Sequence, residues 1–186
     1  MQLQPGDILL HNPFATLLWC IEHGTMPSFV SVLHAVLAAV YFMVTWSPYS
    51  HVIQYVGGGV FVHTRYGKVR GDNVPDFPPG YLETSRIVRL HSDRLQKDID
   101  VNDLHAVFTE SVGFYNPDYT TIFLTPFFRL AYYLGLIPKD YRKDYEYFNC
   151  ATFLIRKWKE LGVDLFPDKC EVGVYPSDFL ALERVK

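Results

Sequence analysis

The chain has little cysteine, no surplus of positive charge and, from His23 to Thr64, not one Asp, Glu, Lys or Arg. Three cysteines (Cys20, Cys150 and Cys170) in 186 residues are too few, and odd in number, for a disulfide-stapled secreted fold. Free thiols in a reducing compartment are the expectation. Lys plus Arg is 17 against 20 for Asp plus Glu, a net charge of −3 that leaves nothing to neutralise a phosphate backbone, so nucleic acid is not expected as a partner. Met1 to Asp7 lacks the basic region, apolar stretch and small-residue cleavage site of a secretory signal, which makes cytoplasm the expected location. Repeats, low-complexity tracts and charge blocks are missing too. With no linker to divide it, 1–186 reads as one domain, carrying apolar insertions around 26–49 and 119–137.

Hydrophobic residues make up 49% of the chain and aromatics 16%, enough for a packed core and far from the composition of disorder. Within the uncharged region, Phe29 to Trp46 nearly matches the length of a membrane span. Its flanks carry no Lys or Arg anchors, which favours a buried or groove-lining helix. Length alone keeps a membrane-dipping helix open, so 29–46 is the segment assigned to any membrane contact.

Turn and cap signals organise the rest. Pro5-Gly6-Asp7 feeds a short buried strand at Ile8-Leu9-Leu10, and Asn12 before Pro13 starts a helix that Gly24 closes. His51 to Val56 and Val60 to Thr64 flank Gly57-Gly58-Gly59, a β-hairpin signal. Arg86 to Leu90 is a further strand, Asn102 caps a helix through Leu104 and Phe108, and Thr125 with Pro126 starts one that ends near Gly135. Asn149 caps a helix from Cys150 to Leu161, and Glu171 to Tyr175 is a last strand. The expected class is α+β, a small antiparallel sheet packed against helices.

Chemistry concentrates at Cys150. As the first residue of a helix it meets unpaired backbone N–H groups and the positive end of the dipole, which favour a thiolate and lower its pKa. Cys150, Leu154 and Trp158 stack on one face, with Arg156, Lys157, Lys159 and Glu160 on the other. A three-residue glycine loop pairs Val56 with Val60, Ile53 with His63 and His51 with Arg65. Both histidines then share a face as diagonal neighbours roughly 7–8 Å apart. A base and the group that orients it are what a cysteine nucleophile requires.

Gly6-Asp7-Ile8-Leu9, Ser50-His51-Val52, His63 twelve residues after His51, and Asn149-Cys150 at a helix start together resemble the circularly permuted branch of the NlpC-type papain-like superfamily. That branch includes the YiiX/YebB-like proteins and the lecithin:retinol acyltransferase-like enzymes. The resemblance implies a permuted papain-like fold with the nucleophile at a helix N-terminus: Cys150 as nucleophile, His51 as base, His63 as orienting residue. His63 and the Asn149-Cys150-x-x-Phe153 run are similar to the acyltransferase-like group, whereas Pro176-Ser177-Asp178-Phe179-Leu180 is closer to the YiiX-like ending. Cell-wall peptides, lysine-type amides and lipid acyl groups are the substrate classes so implied.

The expected activity is that of a cysteine-dependent hydrolase, an amidase or peptidase working through a thioester acyl-enzyme on a small-molecule, peptide or lipid substrate, without a cofactor or metal. Three alternatives stand beside it: a lipid acyltransferase or thioesterase at a membrane surface, a metal site of two histidines and a cysteine, and a non-catalytic binding module. Glu83 and Asp118 are reserve orienters for His51, and Tyr49 is a reserve oxyanion donor. Cys20 reads as core and Cys170 as a loop thiol. His11, His23, His34, His91 and His105 show no paired spacing.

Overall fold

The computed structural model describes residues 2–27, 46–65, 68–90, 99–114, 149–169 and 171–183, with isolated positions between 29 and 43 and at 131 and 134–136. Five strands, β1 (Ile8–His11), β2 (His51–Gly57), β3 (Val60–Arg65), β4 (Lys68–Asn73) and β5 (Arg86–Val88), form one antiparallel sheet in the order β4-β3-β2-β1-β5. Helices α1 (Pro13–Glu22), α2 (Val101–Thr109) and α3 (Cys150–Glu160) accompany it, and the fold class is α+β as expected.

Alternation along the strands decides what each sheet face covers. Ile8, Leu10, Val52, Val56 and Val62 point to one side, where Leu104 and Phe108 of α2 and Ala151, Leu154, Ile155 and Trp158 of α3 complete the main core. Leu9, Ile53 and Phe61 point to the other, against Tyr81 and Leu82. Both faces are therefore covered, and β1 and β2 read as nearly continuous apolar runs for that reason.

Local signals place α1 where the sequence puts it. Asn12 Oδ1 accepts from the Phe14 and Ala15 amides at 3.1 and 3.2 Å, Pro13 occupies the first turn, and Gly24 follows at φ +62°. The cap of α2 is corrected by two residues, because Asp100 rather than Asn102 accepts the exposed amide, from Asn102 itself at 2.7 Å. The expected strand at Glu171 to Tyr175 is instead a 3-10 turn (Glu171–Gly173). Glu171 is held by Arg156 at 3.1 Å and Lys159 at 3.0 Å, so that segment packs on α3 and not on the sheet.

The polar face assigned to α3 is corrected at Lys157, which is buried beside Trp158. Its ammonium bonds Glu110 at 2.9 Å and Glu160 at 2.7 Å, so α2 and its C-terminal end cover this side of α3 while the charge stays paired. The Thr125 to Gly135 helix lies largely outside the described residues; Gly135 itself has φ +70°. In 29–46 the described positions Phe29, Val32, Ala35, Val36, Ala38, Ala39, Phe42 and Met43 are helical. Ala35 and Ala38 are buried, whereas Phe29, Val32, Val36, Phe42, Met43 and Trp46 are exposed. The described positions of the segment thus divide into buried alanines and exposed larger apolar residues. Among the described residues no helix is long and apolar enough to cross a membrane.

Candidate active site

Gly57, Gly58 and Gly59 turn β2 into β3 with φ of +100°, +61° and +81°, a run of left-handed backbone that side chains with a Cβ resist. Beyond the turn the ladder pairs Gln54 with Val62 and Tyr55 with Phe61, the register expected from the sequence. Only the pair next to the turn differs: a bulge at Val56 sets Gly57, not Val56, opposite Val60. The ladder between β2 and β3 runs no further than Gln54↔Val62, so His51 and His63 stand past its end.

The two histidines reach each other through their rings, as diagonal neighbours with long side chains can. His51 Nε2 lies 2.7 Å from His63 Nδ1, with the rings edge to face and their centroids 5.0 Å apart. Diagonal neighbours roughly 7–8 Å apart are within reach of ring side chains, and here the rings meet in a direct hydrogen bond. His63 is buried at 1% exposure, and its Nε2 lies 3.1 Å from Asp72 Oδ2 on β4. Arg70 Nε, half-exposed, forms an ion pair with the other oxygen of Asp72, Oδ1, at 3.3 Å.

Asp72 is the residue that sequence reasoning missed. Of the reserve orienters, Glu83 is exposed and Asp118 lies outside the described residues. β4 itself was not foreseen, because Lys68-Val69-Arg70-Gly71-Asp72-Asn73 offers one apolar side chain and its second buried position is the aspartate. Gly67, shortly after the Val60 to Thr64 run, was the available turn signal. His11 has no paired spacing in sequence, yet it stands directly opposite His51 across β1 and β2 and stacks on Tyr81 at 3.5 Å between centroids.

Burial and charge set the protonation of the pair. Desolvation pulls His63 below its ordinary value of 6.5, outweighing the Asp72 hydrogen bond that raises it. The same hydrogen bond from His63 holds Asp72 below its ordinary 3.8 against its own desolvation. The pair at neutral pH is accordingly a neutral imidazole donating to a carboxylate. Both folded values lie below the unfolded ones, so each group's contribution to stability is complete above its unfolded pKa and is lost as pH falls. The urea midpoint is expected to drop between pH 7.5 and 5.5 from His63 and again below pH 4 from Asp72, with His63→Gln flattening the first drop. An unchanged slope in that variant would assign the drop to other groups.

Cys150 is the first residue of α3, and Asn149 Oδ1 caps the helix by accepting the Thr152 amide at 2.9 Å. The expected lowering of its pKa is corrected. Burial pushes the thiol up to about 11, although the amides of Val52, Ala151 and Cys150 itself act in the lowering direction. The Val52 amide on the sulfur places the thiol against β2 one residue after His51. Alkylation of Cys150 by iodoacetamide is therefore expected to climb steadily from pH 7 to 10, where a preformed thiolate would show a plateau; peptide mass spectrometry across pH decides. Cys20 is buried with its sulfur 3.7 Å from the Pro79 carbonyl oxygen, a core residue as expected, and Cys170 lies outside the described residues. Tyr49 packs partly buried against the main core.

A metal held by the two histidines does not suit this geometry. Ring nitrogens 2.7 Å apart share a proton, whereas two zinc ligands at about 2.0–2.1 Å from a tetrahedral ion stand more than 3 Å from each other. Among the described residues no group of three or more His, Cys, Asp or Glu converges as a metal site. The fold and site thus define an α+β protein with a His-His-Asp chain at one end of its sheet and a cysteine opening a helix nearby. No protein-family model, curated protein or solved structure matches this chain.

Proposed function

We propose that the protein is a cysteine-dependent hydrolase of amides or esters, built on a permuted papain-like plan, with Cys150 as nucleophile, His51 as base and His63 as its orienting partner. The observation that carries the reading is the 2.7 Å bond between His51 and His63, at the strand start whose Val52 amide meets the Cys150 sulfur. In the reaction the sulfur attacks the carbonyl carbon while its proton passes to His51, which later protonates the leaving group; the resulting thioester is released by water. Because burial keeps the resting thiol protonated, the proton moves during attack. The Cys150 amide at the helix start is the donor for the oxyanion.

An activated ester tests this without the natural substrate. With p-nitrophenyl butyrate, a stoichiometric burst of p-nitrophenol and a butyryl adduct on the Cys150 peptide are expected, both absent in Cys150→Ala. An adduct elsewhere, or an unchanged burst in the variant, removes the reading.

The exposed apolar residues described within 29–46 favour a second reading, an acyltransferase or thioesterase taking lipid acyl groups at a membrane surface. Phe29 is 81% exposed and Val36 58%, in a region without charge, and burying a few hundred Å² of such surface at roughly 25 cal/mol per Å² gives measurable partitioning. Co-sedimentation with phosphatidylcholine vesicles is expected, weakened in a Phe29→Asp, Val36→Asp double variant that keeps its circular dichroism. Wild type left in the supernatant returns the choice to a peptidase or amidase.

A further inference from the structure

Three polar side chains from three neighbouring strands make one continuous chain of hydrogen bonds, and its chemistry sets which nitrogen donates at each bond. Asp72 is ionised and accepts at Oδ2, so the ring nitrogen 3.1 Å away, His63 Nε2, carries the hydrogen. A neutral His63 has only that one, and its Nδ1 accepts. The atom 2.7 Å from Nδ1, His51 Nε2, must then donate. A neutral His51 with its hydrogen on Nε2 keeps its lone pair on Nδ1.

We propose that Asp72 is a positioning residue which, held in orientation by Arg70, fixes the hydrogen on Nε2 of both histidines and so presents His51 Nδ1 as the proton acceptor. The inference rests on the cysteine-hydrolase reading for its use, but its content is the position of two protons. During attack the S–H bond breaks as the S–C bond forms, the proton goes to His51 Nδ1, and the carbonyl π pair moves to oxygen. The carboxylate takes no proton; it stabilises the His51 imidazolium through the intervening neutral ring.

Arg70 makes the proposal sharper. Its Nε lies 3.3 Å from Asp72 Oδ1 as a half-exposed ion pair, and a cation there favours a carbonyl oxygen over an amide NH₂. In Asp72→Asn the amide oxygen stays with Arg70 and the NH₂ turns to His63 Nε2, which must accept. His63 then carries its hydrogen on Nδ1 and donates to His51 Nε2, and the hydrogen of His51 moves to Nδ1, where the base needs its lone pair. A nearly isosteric substitution thereby inverts both rings. Asp72→Ala removes the lock without imposing the wrong arrangement, and adding Arg70→Ala to Asp72→Asn frees the amide to turn its oxygen back to His63.

The full chain, labelled with ¹⁵N in the histidine rings, reports the tautomers by long-range ¹H–¹⁵N correlation at pH 7.5. Wild type is expected to show Nε2–H on His51 and His63, Asp72→Asn to show Nδ1–H on both, and the Arg70→Ala, Asp72→Asn pair to return toward Nε2–H. Acylation by p-nitrophenyl butyrate is expected to fall about 10³–10⁴-fold in Asp72→Asn, by less in Asp72→Ala, and to recover partly in the double variant. Nδ1–H on His51 in wild type overturns the proposal whether or not any variant folds, as does an Asp72→Asn spectrum like wild type. Tautomers that invert and return as stated, in a protein whose Cys150 is never acylated, uphold the lock and remove the hydrolase reading instead.

Discussion

Replacing His51 by Ala is expected to lower the p-nitrophenol burst rate by at least about 10⁴-fold, close to its loss in Cys150→Ala, while His63→Ala leaves clearly more activity. In the proposed mechanism base and nucleophile act as one unit, and the thiol, raised to about 11 by burial, stays largely protonated at neutral pH. His63 touches neither sulfur nor substrate in this scheme; its loss frees the tautomer of His51 and removes a buried acceptor. Single-turnover burst kinetics with p-nitrophenyl butyrate at pH 7.5 make the comparison. If His63→Ala were the more damaging of the two, base and orienting residue would have to be exchanged, and the closeness of the rings at 2.7 Å makes that exchange a real test.

Trp158→Ala is expected to be the most destabilising single change in α3, about 3–5 kcal/mol, or roughly 6–20 °C in Tm for a chain of this size. The indole is 2% exposed in the main core, where it meets Phe108 edge to face at 6.2 Å between centroids. Its Nε1 also donates to Gln54 Oε1 at 2.9 Å, and Gln54 is fully buried with its amide nitrogen given to the Asp7 and Tyr55 carbonyls. Truncation thus opens a cavity and leaves a buried acceptor without its donor. Trp158→Phe, which keeps most of the volume and loses only the donor, is expected to cost less, about 1–3 kcal/mol. Equal losses from the two variants in urea titrations would place the whole effect in the hydrogen bond. Because Trp158 lies two turns from Cys150 on the same stripe, the alanine variant is also expected to slow acylation while folded, by loosening the helix that positions the thiol.

Much of the framework was legible from short-range chemistry. Asn12 with Pro13, Asn149 with Thr152, and the triple glycine at the hairpin act through groups within four residues, so their residue types alone announce them. The hairpin register was legible for a related reason: loop length and the two-residue period leave one pairing that buries Val52, Gln54 and Val62 together on the α3 side. Where expectations failed, a distant partner had intervened. Lys157 is buried because Glu110 and Glu160 pair it, and Glu171 leaves the sheet because two cations of α3 hold it.

The sequence by itself determined the class of fold, the cap that starts α3 at Cys150, and the placing of His51 and His63 on one face of a hairpin, since each depends on local backbone preference or on alternation along a strand. The tertiary structure alone decided the rest of the site. It brought β4 beside β3, so that Asp72 reaches His63 from an edge strand with almost no hydrophobic signature, and it turned the two rings so that they bond directly. It also reversed the expected acidity of Cys150, because the field of a helix terminus is a local property of the chain whereas desolvation depends on everything packed around the sulfur.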